Sequence, residues 1–281
     1  MKYSLVSLLF VFIVFGCKSS DSQNKISVET ANVISAVESR LQVDKKSDEQ
    51  SRSPQSEKMT QITIKEVMGQ FDPSKHADFV IIDSKYADRD DRLMYSYAYE
   101  AFQNMWNAAK SDGVELKIIS ATRNFDYQKG IWERKWNGQT KVEGRALPEW
   151  IPNPLVRAKK ILEYSSMPGT SRHHWGTDID LNAFENSYFE KGKGLQEYEW
   201  LRKNAVTYGF CQPYTAKGVK RPTGYNEEKW HWSYIPSAKI FLERAKELSD
   251  SMISGFDGSE TAEEISVVEN YIFGINHRCK E

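Results

Sequence analysis

Residues 171–181 read SRHHWGTDIDL, a stretch that sets two of the chain's five histidines, His173 and His174, beside Asp178 and Asp180. Its second half alternates Ile179 and Leu181 with the two aspartates. That is the period of a half-buried strand, aliphatic side chains toward a core and carboxylates on the opposite face. A second stretch, EEKWHWSY at 227–234, follows the same logic, with Trp230 and Trp232 on one face and His231 on the other. Two such strands side by side would bring Asp180 and His231 to one point, with His173 arriving from the loop ahead of the first strand. Three nitrogen and oxygen donors around an open fourth position make the donor set of a catalytic zinc site. Glu228, three residues before His231, falls at the start of its strand and within reach of that open position. A lone histidine among aromatics is usually a packed or capping residue, and His76, His174 and His277 are read that way.

The surrounding sequence mixes strands and helices without strict alternation. HADFVIID (76–83) contains an apolar run fit for a strand, and VELKIIS (114–120) alternates Val114, Leu116 and Ile118 as a half-buried one. Helical spacing predicts helices over 92–113, closed by Gly113, over 125–138, over 153–166 with Pro154 at its first turn, and over 237–252. An α+β domain fits this order better than a doubly wound sheet.

Before residue 60 the chain has a different character. MKYSLVSLLFVFIVFGC begins with Lys2, continues through an apolar run from Leu5 to Phe15, and reaches Gly16-Cys17. The run is short for a permanent membrane helix and has the proportions of a signal peptide over 1–16. The sequence VFGC resembles a bacterial lipobox, which implies that Cys17 carries lipid; the plainer reading is ordinary secretion with Cys17 incidental. Residues 17–59 are polar, charged and poor in aromatics, too thin in apolar surface to fold alone, and read as a flexible tether. Within it, Val33, Ile34, Val37 and Leu41 have helical spacing and form either a transient amphipathic helix or none. The formal net charge of −1 excludes a generic nucleic-acid binder, which needs a basic surplus to neutralise phosphates.

The two motifs, with a third, carry a resemblance. SRHHWGTDID matches Ser-x-His-x-x-Gly-x-x-x-Asp, EKWH matches Glu-x-x-His, and SATRNFDYQ (120–128) resembles Ser-x-x-Arg-x-x-x-x-Gln. In this order they resemble the VanY-type D-alanyl-D-alanine carboxypeptidases, members of the LAS zinc peptidases, to which hedgehog-like domains also belong. The resemblance spans 79–248. It implies a small antiparallel sheet flanked by helices, and zinc held by His173, Asp180 and His231 with Glu228 as catalytic base. Arg123 is implied to stabilise the oxyanion or clamp the substrate's carboxylate, and Gln128 and Ser171 to hydrogen-bond the peptide's end. Asp178 stands where the family usually has alanine; it is either an acid that orients a ligand histidine or an exposed charge. The register, seven residues after His173, makes Asp180 the ligand.

Cys211 and Cys279 remain once Cys17 is set aside, and an extracytoplasmic domain suits one disulfide between them; two buried thiols are the alternative. The expectation is a monomeric, lipid-anchored, extracytoplasmic enzyme: a zinc domain over 60–249, a C-terminal tail over 250–281 packed on it, and peptidoglycan stem peptides as substrate. Rivals are an L,D-carboxypeptidase or endopeptidase on the same fold, and a catalytically silent hedgehog-like wall-binding module. Glu228 counts against the silent module, because a structural zinc site has no use for a base.

Overall fold

A computed structural model describes residues 62–280 of the chain. The signal segment, Cys17, the tether and the helical spacing at 33–41 lie outside the described residues.

Four strands form an antiparallel sheet in the order β3-β4-β6-β5, where β3 is Ile118–Ser120, β4 Asp178–Leu181, β5 Phe210–Cys211 and β6 His231–Tyr234. A two-stranded ribbon stands apart, β1 at Phe79–Ile81 paired antiparallel with β2 at Leu93–Tyr95. The described helices are α1 Ile64–Val67, α2 Ser96–Ser111, α3 Phe125–Trp136, α4 Leu147–Trp150, α5 Pro154–Ile161, α6 Gly192–Asn204, α7 Ile235–Arg244 and α8 Ala262–Ile265. The mixed architecture with a small antiparallel sheet is the one expected.

Several of the helices have a local reason to form. Asn124 caps α3 by accepting from the Tyr127 N–H at 2.9 Å, and Asn153 caps α5 by accepting from Val156 at 3.0 Å with Pro154 next in line. Along α2 the buried residues Ala98, Phe102, Met105 and Ala109 recur at spacings of four, three and four, one stripe facing the core. The segment after residue 250 is bound into the same core: Ile253, Phe256, Ile265, Val268 and Ile272 are buried, and the Trp132 indole donates to the Asp257 carbonyl at 2.8 Å.

Four expectations need correction. The helix predicted from residue 92 starts at Ser96, because Leu93–Tyr95 has paired with β1. The strand predicted from residue 114 starts at Ile118. Ahead of it the Leu116 carbonyl accepts from the Trp106 indole at 3.0 Å and the Lys117 N–H donates to Asn182 Oδ1 at 2.6 Å, so side chains take the ladder's place. The last helix is shifted toward the N-terminus, entering at Ile235 with Pro236 in its first turn and ending at Arg244 before two short 3₁₀ turns. The helix over 153–166 likewise stops at Ile161.

Candidate metal centre and its cavity

The sheet register builds the centre. Asp180 lies opposite His231 across β4 and β6, and opposite Ser120 across β3 and β4, so one row of the sheet carries Ser120, Asp180 and His231. Cross-strand partners share a face, and here Ile179 and Leu181 fill the other. His173 comes from the 3₁₀ turn Arg172–Trp175 just ahead of β4. Gly176 ends that turn at φ 68°, a left-handed conformation, and a Cβ there would meet the Phe79 ring at 2.4 Å. Only glycine lets the chain swing from His173 into β4 beneath that ring. Gly69 (φ 71°) plays a similar part under the His174 ring, which a Cβ would approach to 2.5 Å.

Nε2 of His173, a carboxylate oxygen of Asp180 and Nδ1 of His231 converge, with the candidate ligand atoms within 4.8 Å of one another. His173 Nε2 is 3.2 Å from Asp180 Oδ2, and His231 Nδ1 is 3.3 Å from Asp180 Oδ1. Yet His173 Nε2 and Asp180 Oδ1 are buried without a hydrogen-bond partner. Buried polar atoms are rarely left so; a cation between them would satisfy both.

The far side of each histidine fixes its tautomer. His173 Nδ1 donates to the Ala121 carbonyl at 2.8 Å, and His231 Nε2 donates to Asp178 Oδ1 at 2.9 Å, since neither oxygen carries a proton to give. The nitrogens facing the centre are therefore the ones that can bind a metal, His231 Nδ1 once it has lost its own proton. Asp178 is fully buried, not an exposed charge. It accepts from Arg172 Nε (2.9 Å), Ser233 Oγ (2.9 Å) and Thr177 Oγ1 (2.7 Å) as well as His231.

The electrostatics follow. Burial, reinforced by the positive Arg123, holds His173 neutral with a pKa down to about 4, against the pull of Asp180. Burial works the same way on His231, but Asp178, Glu228 and Asp180 outweigh it and push the pKa up to about 9. Burial opposes the charge on Asp180 too, and His173 and His231 hold its carboxyl well below the usual range. Burial raises the Glu228 carboxyl, whose Oε2 is 3.2 Å from His231 Nδ1. A carboxylate nudged upward and facing the centre is suited to accept and return a proton.

A cavity of ≈ 280 Å³ opens onto this centre. Arg123, Gln128 and Ser171 all line it. Arg123 Nε, Gln128 Oε1 and Ser171 Oγ are buried without hydrogen-bond partners, while Gln128 Nε2 is spent on the Ser166 carbonyl at 2.8 Å. Three motif residues thus present unused polar atoms to one space. The histidines outside the centre differ: His174 is buried, donating from Nδ1 to the Arg123 carbonyl at 2.6 Å and accepting from Gly169 at 3.1 Å, and His76 pairs with Glu66 at 2.9 Å. His277 is exposed on a short turn rather than packed. Cys211 and Cys279 are joined in a disulfide with Cα atoms 5.7 Å apart.

Two features were missed. Trp230 was expected on the face opposite His231 together with Trp232, yet it lines the cavity with His231; the strand begins at His231, so its period does not extend back to Trp230. Lys135 and Ser165 also line the cavity. The signal for Lys135 was available: Gln128, Ile131 and Lys135 recur at three and four along α3, one helix face.

The VanY family, described as D-alanyl-D-alanine carboxypeptidase, matches residues 91–237. A putative carboxypeptidase, YodJ, of Bacillus subtilis (strain 168) is 28% identical over 172 residues, covering 59% of this chain and 55% of its own. A D-alanyl-D-alanine carboxypeptidase of Enterococcus faecalis (strain ATCC 700802 / V583) is 29% identical over 139 residues, covering 47% of this chain and 45% of its own. The chain thus spans about half the length of the curated relatives it matches. Among solved structures, a vancomycin-resistance D,D-pentapeptidase VanY in complex with Zn(II) has a TM-score of 0.41 at 24% identity, covering 64% of this chain and 93% of that one.

Proposed function

We propose, on the premise that the chain belongs to the VanY family, that it is a zinc-dependent carboxypeptidase removing the terminal D-alanine from peptidoglycan stem peptides. The observation that carries the reading is the pair of orphaned buried atoms, His173 Nε2 and Asp180 Oδ1, converging with His231 Nδ1 beside a buried Glu228. His173, Asp180 and His231 hold the zinc, a set of nitrogen and oxygen donors that suits it. When bound, zinc supplies Lewis-acid polarisation of the scissile carbonyl and eases deprotonation of water.

The chain's own residues do the rest. Glu228 takes the proton of the attacking water at a carboxylate oxygen and returns it to the leaving amine of D-alanine. Arg123 meets negative charge with its guanidinium, whose planar fork pairs two oxygens at once. Gln128 Oε1 and Ser171 Oγ hydrogen-bond the end of the peptide and orient it. Asp178 locks the His231 tautomer and is itself neutralised by Arg172.

The same reading makes residues 60–249 the catalytic domain, 250–281 a packed tail, 17–59 a tether and 1–16 a lipoprotein signal ending before Cys17. The protein is then anchored by lipid to a bacterial membrane outside the cytoplasm, on its periplasmic side, a compartment that suits the Cys211–Cys279 bridge. In this reading one chain supplies every group the site needs, and the protein works as a monomer. The test is to incubate purified protein with defined tri-, tetra- and pentapeptide stems, with and without a chelator, and weigh the products. Loss of one D-alanine from the pentapeptide, abolished by chelation and restored by zinc, is expected. Cleavage of the tetrapeptide alone would move the assignment to an L,D-carboxypeptidase, and tight binding with no cleavage to a silent module.

A further inference from the structure

One cation in the cavity wall has no task in that scheme. Lys135, one turn beyond Ile131 on α3, sends its Nζ to Ser165 Oγ at 2.5 Å. Among the described residues no carboxylate forms an ion pair with it. Burial, with the positive Arg123 nearby, draws its pKa down, and Glu228 opposes this without reversing it. A partly desolvated ammonium against a neutral hydroxyl leaves its charge uncompensated, and charges drawn out of water are ordinarily paired.

The charges around the cavity indicate what completes it. Arg172 is cancelled by Asp178, at 2.9 Å with both side chains fully buried. A divalent cation on His173, Asp180 and His231 leaves a single positive charge, which Glu228 cancels. Arg123 and Lys135 remain, facing a peptide whose C-terminus supplies only one carboxylate. We propose that Lys135, steadied by Ser165, binds a second carboxylate of the substrate, so that the site selects stem peptides bearing a free side-chain acid over their amides.

This proposal rests on the peptidase reading of the same cavity. Two positions in a stem peptide offer the chemistry: the α-carboxylate of a γ-linked glutamate, and the second carboxylate of a diamino diacid at the third residue. The experiment uses synthetic pentapeptides ending in D-Ala-D-Ala, with both acids free, with either one amidated, or with both amidated. Wild type should show kcat/KM at least about tenfold higher on the free acid than on one of the two single amides, the scale of one hydrogen bond to a charged group. Which amide loses rate identifies the acid. Lys135→Met should compress the ratio to within about twofold, mainly through KM, and Lys135→Arg should keep most of it. Equal rates on all four peptides with wild type, or a preference that survives in Lys135→Met, would overturn the proposal. If Lys135→Met does not fold, the wild-type ratio and Lys135→Arg decide. If wild type cleaves none of the peptides, the hydrolase reading falls separately. Calorimetric titration of the four peptides into Glu228→Gln protein then tests Lys135 directly, with selective binding of the free acid upholding it and equal binding refuting it.

Discussion

Asp178 accepts the Nε2 proton of His231 at 2.9 Å and so turns the opposite nitrogen, Nδ1, toward Asp180 and Glu228. The two strands are in register such that Asp178 faces Ser233 and Asp180 faces His231; one aspartate orients while the other is free to ligate. The orienting carboxylate is in turn neutralised by Arg172 in a fully buried pair. Asp178→Ala would strand that arginine and should destabilise the fold by about 3–5 kcal/mol. Asp178→Asn keeps the shape and one acceptor but loses the charge, and should weaken zinc binding by about 10–100-fold. Denaturant melts and competition with a chromophoric chelator measure the two effects; an Asn variant with wild-type zinc affinity would leave Asp178 a packing residue.

Zinc uptake should release a proton. The metal-free His231 is raised to about 9, so between neutrality and that value its Nδ1 carries a proton that has to leave before the nitrogen can ligate. His173, lowered to about 4, is already neutral there and releases none. With the folded pKa raised, the protonated form dominates below about 9, and apparent zinc affinity should fall roughly tenfold per unit as pH drops from 8 to 6. Calorimetry in buffers of different ionisation enthalpy counts the proton. A pH-independent affinity would show that His231 is neutral in the metal-free protein.

Reduction should loosen the C-terminal segment more than the metal centre. The Cys211–Cys279 bridge closes a loop with a sequence separation of 68, for which loop-closure entropy gives an upper limit of roughly 4 kcal/mol. Cys279→Ala should lower the melting temperature while zinc content stays unchanged. Two alkylated thiols in unreduced protein, seen by mass spectrometry, would refute the bridge.

Arg123 is anchored through its backbone as well as exposed to the cavity through its side chain. Its N–H donates to the His173 carbonyl at 3.1 Å, and its carbonyl accepts from His174. Arg123→Ala removes only the guanidinium, so it should fold and bind zinc while turnover drops by about a hundred-fold or more, the loss seen when one oxyanion donor is removed. Lys should rescue only part of this, lacking the fork. A near-normal rate for the alanine variant would take Arg123 out of the chemistry.

How much of this was legible in sequence depended on whether a signal was local. The alternation in TDIDL predicted that Asp178 and Asp180 share a face, which rests on strand geometry within one segment; the spacing of the family motif from His173 picked out Asp180. That Asp178 is buried under Arg172 was left open, because the partner Ser233 lies on another strand. The strand at 114–117 was lost to Trp106 and Asn182, side chains from distant elements that capture its backbone groups. Gly176 was visible as a motif position, but the ring of Phe79 that forbids a Cβ there was not. Lys135 was within reach of helical spacing from Gln128, and only its pairing with Ser165 needed the fold.

Glu228 separates an enzyme from a binding module. Its carboxyl is buried beside His231 Nδ1 at 3.2 Å, close enough to act at the centre that His173, Asp180 and His231 are placed to form around a metal. Burial raises its pKa from the ordinary carboxylate value, which makes it a better proton acceptor than an exposed glutamate and a competent donor once protonated. Glu228→Gln retains the shape and the amide's hydrogen bonds but cannot carry a proton from water to the leaving amine. The variant should therefore fold, hold one zinc and bind stem peptide, yet release D-alanine at least about a hundred-fold more slowly, the lower range for loss of general acid–base assistance. The raised pKa also sets the acidic limb of the wild-type profile: the deprotonated form is the active base, so kcat/KM should fall as pH drops through the Glu228 pKa, and that limb should vanish from the residual rate of Glu228→Gln. Elemental analysis and calorimetry establish the first set of properties, and single-turnover kinetics across pH the second. Wild-type turnover in the glutamine variant would show that another group moves the proton.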